Sequence, residues 1–151
     1  MYKLSPPSKG IRMLCEVFAE TLVETTPFGG DFKSREEFLM GSYNRKLATC
    51  SIYKYLTDKG KDVSPVRFIE IPSENLPDLV VGDVSIFVRV FKGKGVLSDV
   101  DIGICEKLGA SPKVFFAFTE FKEGNPTRYT LVSTEDIQKT MRGKDISTRT
   151  T

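Results

Sequence analysis

The sequence predicts an α/β domain in which a mixed β-sheet is flanked by helices. Helical spacing of apolar residues dominates positions 1–60, strand patterns dominate 61–132, and one helical pattern lies between two of those strands. A strand, helix and strand that follow a hairpin place parallel and antiparallel pairs in one sheet. With 151 residues, the chain can fill one core, so we expect a single domain ending in a helix and tail over 133–151.

Two helices are predicted before the sheet. Apolar residues at helical spacing predict the first over Ile11–Val23, and the proline and glycines that follow end it. Ser34 and Glu37 form a capping box, which predicts the start of a second helix that runs towards Gly60. Gly41 is a position at which this second helix could be interrupted.

Three strands are predicted next, over Val66–Ile71, Leu79–Val81 and Val84–Phe91. The last two flank Gly82 and Asp83, a spacing that is typical of a hairpin with a two-residue turn.

A crossover helix and a second pair of strands complete the prediction. Ser98 is the expected cap of a short helix that Gly109 ends. Lys113–Phe121 is predicted to be a strand, and its apolar run Val114–Phe118 is typical of a strand that is buried on both faces. A turn at 123–126 leads to a strand over Arg128–Val132, and Ser133 caps a last helix that reaches about residue 141.

Composition excludes several classes of function. The 22 basic and 20 acidic residues nearly balance, so affinity for phosphate would require local clustering. The chain contains no histidine, which excludes Ser-His-Asp and Cys-His catalysis and histidine-ligated zinc. We therefore expect any chemistry to rest on carboxylates, lysines, tyrosines or a thiol.

The cysteines and the hydropathy pattern predict location. Cys15, Cys50 and Cys105 are odd in number, widely spaced and outside any C-x-x-C pair, which argues against a disulfide framework and a zinc ribbon. No apolar run approaches the roughly 20 residues that span a bilayer, and residues 1–10 do not resemble a signal peptide. We expect an intracellular, reducing location, cytoplasmic or nuclear, and no membrane partner.

The segments Leu76–Gly82 and Val84–Lys92 resemble the central hairpin of the restriction-endonuclease-like, or PD-(D/E)xK, superfamily. The resemblance implies a restriction-endonuclease-like mixed sheet in which Asp78 and an acid on the next strand bind Mg²⁺ or Mn²⁺. A lysine two residues beyond that acid orients the attacking water in this family. Residues i and i+2 of a strand point to the same side, so the acid and the lysine reach one site.

The second acid is missing from this motif. Lys92 as the catalytic lysine places Val90 at the acid position, whereas the usual offset from Asp78 places Arg89 there and Phe91 at the lysine position. An arginine beside Asp78 would neutralise it and repel a divalent cation. The acidic residues that folding could bring to Asp78 instead are Glu70, Asp83 and Asp99.

Among subfamilies, the element order is most similar to the amino-terminal endonuclease domain of the polymerase acidic subunit of influenza-type viruses (orthomyxoviruses). The similarity covers about residues 33–141, and the matching strings are Met40–Arg45, Leu76–Leu79, Phe116–Glu120 and Tyr129–Leu131. Active members carry a metal-binding glutamate where this chain has Met40, and a metal-binding histidine in the first helix. The resemblance thus implies a cap-snatching-endonuclease-like domain of a viral RNA polymerase subunit that has lost cleavage, with no cofactor, and with other polymerase or nuclease subunits as partners.

Two related families give alternatives. Archaeal Holliday-junction resolvases share the apolar-Pro-Asp-apolar string, which implies an active Mg²⁺ or Mn²⁺ nuclease with migrated carboxylates. The tRNA-splicing endonuclease domain is similar over Tyr53–Val132, with Lys113 near its catalytic lysine; without histidine, only a non-catalytic subunit fits.

The candidate contacts to RNA or DNA phosphate are Arg89, Lys92, Lys94 and Lys113. The simpler interpretation is that these are solvated side chains. For Asp78 the simpler interpretation is a turn at the strand entry, in which the carboxylate accepts hydrogen bonds from backbone amides.

Overall fold

The computed structural model of the protein describes residues 1–26, 34–69, 76–91 and 99–143. The elements, in chain order, are β1 (Tyr2–Lys3), α1 (Lys9–Thr25), α2 (Arg35–Asp58), β2 (Leu79–Val81), β3 (Val84–Val90), α3 (Asp99–Leu108), β4 (Val114–Lys122), β5 (Asn125–Ser133) and α4 (Thr134–Gly143).

The five strands form one mixed sheet in the order β1-β5-β4-β3-β2. β3 and β4 are parallel and are connected through α3, while the other neighbouring pairs are antiparallel. The α/β class and the mixed sheet predicted from the sequence are therefore confirmed.

Alternation along β3 divides the core between the two faces of the sheet. Ile86 and Val88 pack in a cluster with Ile52 of α2. Phe87, which points to the opposite face, packs in a second cluster with Ile104 of α3. Helices thus cover both faces, and β3 is buried between them.

Serine caps begin α2 and α4 where the sequence predicts, whereas Ser98, the predicted cap of α3, lies outside the described residues. The side chain of Ser34 accepts a hydrogen bond from the N–H of Glu37 at 3.1 Å, and Ser133 accepts one from Asp136 at 3.0 Å. α2 continues from Arg35 to Asp58 without a break at Gly41. Its packing against α1 and the sheet outweighs the low helix propensity of a single glycine.

The prediction of a strand over Val66–Ile71 is wrong for residues 66–69, which are not in a strand; 70 and 71 lie outside the described residues. The outer edge of β2 is occupied instead by an isolated bridge between Val63 and Val81. Pro65, which has no N–H to donate, follows directly. In this segment the Phe68 ring meets Phe18 of α1 at 6.2 Å, while Ile69 is 79% exposed.

β1 was not predicted. It has only two residues, too few for a periodic pattern, and it pairs with β5 through Tyr2 and Lys3. The ring of Tyr2 stacks on that of Tyr129 at 5.0 Å, which attaches the chain start to the sheet. Within the four described ranges, no helix has both the length and the apolar character required to cross a membrane.

Candidate functional site

Asp78 lies at the entry to β2, where its backbone and side chain both bind β3. Its N–H donates to the carbonyl of Ile86 at 2.9 Å, and its Oδ2 accepts from the N–H of Val88 at 2.7 Å. Asp78 is buried, with 5% of the residue exposed. The Asp78 carboxylate thus forms an additional hydrogen bond with β3 next to Pro77. It accepts from a backbone amide, as the simpler interpretation of the sequence expects.

Two arginines reach the same carboxylate. Arg45 of α2 donates through Nη2 to Oδ1 of Asp78 at 2.7 Å, and Nη1 of Arg89 on β3 lies 3.5 Å from Oδ2. The side chain of Asp78 is only 2% exposed, against 38% for Arg45 and 18% for Arg89. An arginine beside Asp78 is what the offset between the two strands predicts, and Arg89 takes that place.

Arg89 also binds a second carboxylate. Its Nε donates to Oδ1 of Asp101 in α3 at 2.7 Å, and its Nη1 donates to the carbonyl of Val88 at 2.8 Å. The guanidinium carbon lies 5.8 Å from the ring centre of Phe87 and 5.5 Å from that of Phe116. A half-buried arginine is therefore held by a carboxylate on each side and by two aromatic faces.

We refer to Arg45, Asp78, Arg89 and Asp101 as the Asp78 network. Strand alternation explains its shape, because Arg89 points to the same face as Phe87 and so towards α3. Arg45 comes from α2, on the other face. The network therefore connects both helical layers at the β2 edge of the sheet, and its two positive and two negative side chains balance in formal charge.

The Asp78 network does not fit a divalent cation. Mg²⁺ and Mn²⁺ are bound mainly by oxygen ligands, often from several carboxylates, whereas the Asp78 oxygens here accept hydrogen bonds from Arg45 and the Val88 amide and form an ion pair with Arg89. In the part of the chain that the structure describes, no group of three or more His, Cys, Asp or Glu side chains could hold a metal.

Two other predicted site residues lie away from Asp78. Asp83 is in the turn between β2 and β3, at the opposite end of the hairpin, where it forms an exposed ion pair with Lys113. The hydrogen bond and charge of Lys113 lower the pKa of Asp83, and Asp83 in turn raises the pKa of Lys113. These two residues therefore partner each other rather than Asp78.

The remaining predicted residues cannot be placed against the site. Glu70, Lys92 and Lys94 lie outside the described residues, and Asp99 is described only as the first backbone position of α3. Arg89, predicted as a contact to phosphate, donates hydrogen bonds to Asp101 and to the carbonyl of Val88 and forms an ion pair with Asp78.

Sequence reasoning did not identify Arg45 and Asp101 as site residues. The sequence singles out Arg45 only as the last residue of the matching string Met40–Arg45. Asp101 shares one helical face with Ile104 and Cys105, at positions i, i+3 and i+4, and both apolar neighbours are buried. A carboxylate on an otherwise apolar face predicts a buried cationic partner, and this pattern could have indicated Asp101.

Comparison of the chain with family models, with curated proteins and with solved structures finds no match.

Proposed function

We propose that this chain is a restriction-endonuclease-like domain that has lost metal-dependent cleavage and acts as an interaction module in a nucleic-acid-processing complex, such as a viral RNA polymerase subunit. The observation that carries the proposal is the position of Asp78 between Arg45 and Arg89. Asp78 is the residue that the family motif assigns to the metal, and guanidinium groups stand where the cation would.

The order of elements supports the proposal. The family motif requires its first acid at the entry to one strand of a hairpin and its remaining residues on the next strand. Asp78 enters β2, and β3 presents Arg89 towards it before α3 leads to the parallel strand β4. Arg89 therefore occupies the place that the motif gives to the second carboxylate.

Electrostatics explains why cleavage would be lost. A divalent cation at Asp78 would face two guanidinium groups, and like charges at such separations repel strongly at a buried site. Without the cation, the site lacks the group that lowers the pKa of the attacking water and neutralises the leaving phosphate. What remains is a neutral network whose role is to hold the hairpin and two helices together. Partners are then other subunits of the complex, with RNA or DNA bound elsewhere on the domain or by those subunits.

The direct test is a cleavage assay with single-stranded RNA and with branched DNA in the presence of Mn²⁺. We expect no cleavage by the protein and no rise in its melting temperature when Mn²⁺ is added. Cleavage that disappears in Asp78→Ala would overturn the proposal, because it would show that the carboxylate still supports catalysis.

A gain-of-binding experiment tests the fold assignment itself. The double variant Arg89→Glu with Phe91→Lys restores the acid and the lysine of the motif in register with Asp78. We expect its melting temperature to rise with added Mn²⁺, because the metal relieves repulsion among buried carboxylates. The matched control is Arg89→Gln with Phe91→Lys, which removes the same arginine without adding an acid. Equal responses of the two variants to Mn²⁺ would contradict a nuclease-like arrangement.

A further inference from the structure

Two cysteines that are far apart in the sequence meet between α1 and α2. The Sγ atoms of Cys15 and Cys50 lie 3.9 Å apart across 35 positions of chain. Cys15 is fully buried and Cys50 is 7% exposed, and both are free thiols packed against Leu47. Cys15 and Cys50 are thus close together in the folded protein, although their wide spacing in the sequence argues against a disulfide framework.

The surroundings make the two thiols unequal. The hydrogen bond shared by the two thiols lowers the pKa of Cys50, and the positive charge of Lys46 acts in the same direction. The same hydrogen bond, followed by burial, raises the pKa of Cys15. Cys50 is therefore the sulfur that more readily becomes a thiolate, and it is also the one with residual exposure.

We propose that Cys15 and Cys50 are a modification site, at which a hydroperoxide converts the thiol pair into a reversible disulfide that joins α1 to α2. This inference is independent of the proposed function, since it involves neither metal nor nucleic acid.

The chemistry balances with one equivalent of hydroperoxide. The Cys50 thiolate attacks the peroxide oxygen, which breaks the O–O bond and gives a sulfenic acid and hydroxide, or alkoxide from an organic hydroperoxide. The Cys15 thiol then attacks the sulfenic sulfur; the S–O bond breaks, and its proton leaves with the hydroxyl group as water. Two thiols are oxidised, one peroxide is reduced, and a reducing thiol reverses the product by exchange.

The geometry requires only a small approach. A disulfide has an S–S length of about 2.05 Å, so the sulfurs must come closer by roughly 2 Å, within reach of side-chain rotation and slight helix shifts. The cross-link would close a loop of 35 positions, which restricts the unfolded chain. Oxidation should therefore raise the melting temperature by on the order of 10 °C.

Cys105 provides an internal control. It is fully buried on the other face of the sheet, in the cluster of Phe87 and Ile104. Burial, followed by the Asp101 carboxylate, raises its pKa to about 11, which leaves little thiolate at neutral pH.

The test treats the folded protein with hydrogen peroxide, blocks the remaining thiols with an alkylating agent, and maps tryptic peptides without reduction. Trypsin separates the three cysteines into peptides 13–33, 47–54 and 95–107. We expect 13–33 and 47–54 to appear joined, with the loss of two hydrogen atoms, while 95–107 is alkylated. A reductant should separate the pair and reverse the rise in melting temperature.

Cys105→Ser should behave like the unmodified sequence, whereas Cys15→Ser and Cys50→Ser should show neither the linked peptide nor the thermal shift. A circular dichroism spectrum confirms that each variant is folded, and Cys15→Ala and Cys50→Ala serve if a serine variant is not. Three alkylated thiols after oxidation, a cross-link between two protein molecules, or linkage of peptide 95–107 at equal yield would each overturn the proposal.

Discussion

Arg45 and Asp78 form a 2.7 Å ion pair in which the arginine is 38% exposed and the carboxylate only 2%. The pair therefore joins a partly exposed arginine to a buried carboxylate. Farther inside the protein, Nε of Arg89 donates to Oδ1 of Asp101 at 2.7 Å, so this second arginine is also paired with a carboxylate. Removing this carboxylate would leave the buried N–H of Val88 without its acceptor and would take one of two carboxylates away from Arg89.

Asp78→Ala should lower the free energy of unfolding by about 3–5 kcal/mol, because it leaves the Val88 amide without its acceptor and removes one of the two carboxylates that balance the charge of Arg89. Urea denaturation at neutral pH measures this change. Asp83→Ala is the matched control, since it removes an exposed ion pair with Lys113 whose loss should change the stability little. Equal losses in the two variants would show that the Asp78 network adds no stability.

The ion pair between Arg89 and Asp101 should be energetically coupled. A double-mutant cycle with Arg89→Met and Asp101→Leu is expected to give a coupling free energy of about 1–3 kcal/mol, since each single change leaves the other charge buried. The surface pair Arg128 and Glu120, whose side chains are 49% and 30% exposed, should give less than about 1 kcal/mol in the same cycle. Additive effects at positions 89 and 101 would refute the contact.

Tyr129 should make the fold sensitive to alkali. Burial, followed by Tyr55 and Tyr2, raises its pKa above the ordinary value of about 10. The contribution of the neutral Tyr129 side chain to stability is therefore complete below about pH 10. It is lost as the pH rises towards the pKa of Tyr129 in the folded protein, because this tyrosine ionises first in the unfolded chain. Above pH 10, the free energy of unfolding of the unmodified protein should fall by up to about 1.4 kcal/mol more per pH unit than that of Tyr129→Phe. Urea denaturation from pH 7 to 11 measures the difference, and parallel curves would contradict it.

The turn between β4 and β5 contains a correctable strain. Glu123 and Gly124 have φ values of 53° and 78°. A positive φ at the first of these turn positions is adopted more readily by asparagine than by glutamate. Glu123→Asn should raise the free energy of unfolding by about 1 kcal/mol in a urea titration. Glu123→Gln removes the same charge but keeps the strained backbone, so it should change little. A gain of equal size from glutamine would assign the effect to charge.

The elements that the sequence predicts well are those whose patterns are local. The caps at Ser34 and Ser133, and the hairpin of Leu79–Val81 with Val84–Val90, follow from short-range spacing and turn residues. The strand predicted at Val66–Ile71 is wrong over 66–69, where the Phe68 ring contacts Phe18 of α1, a tertiary contact that local patterns do not reveal.

The site was harder to predict because its partners are distant in sequence. Asp78 was identified from the hairpin motif, but Arg45 is 33 positions away and enters from α2. Asp101 meets Arg89 only because α3 folds back over β3. The contact between Cys15 and Cys50 likewise depends on how α1 lies on α2. Local periodicity carries no information about such tertiary pairs.

The short segment at Val63 and Ser64 limits how this domain can meet another chain. The N–H of Ser64 donates to the carbonyl of Val80 at 2.8 Å, and its hydroxyl accepts from the N–H of Val80 at 2.8 Å. The N–H and the carbonyl of Val80, the middle residue of β2, are thus both hydrogen-bonded within the protein, so they cannot pair with an incoming strand. β-strand addition at the middle of β2 is therefore blocked, together with the aggregation that such pairing can cause. A partner that approaches this edge of the sheet would have to recognise side chains.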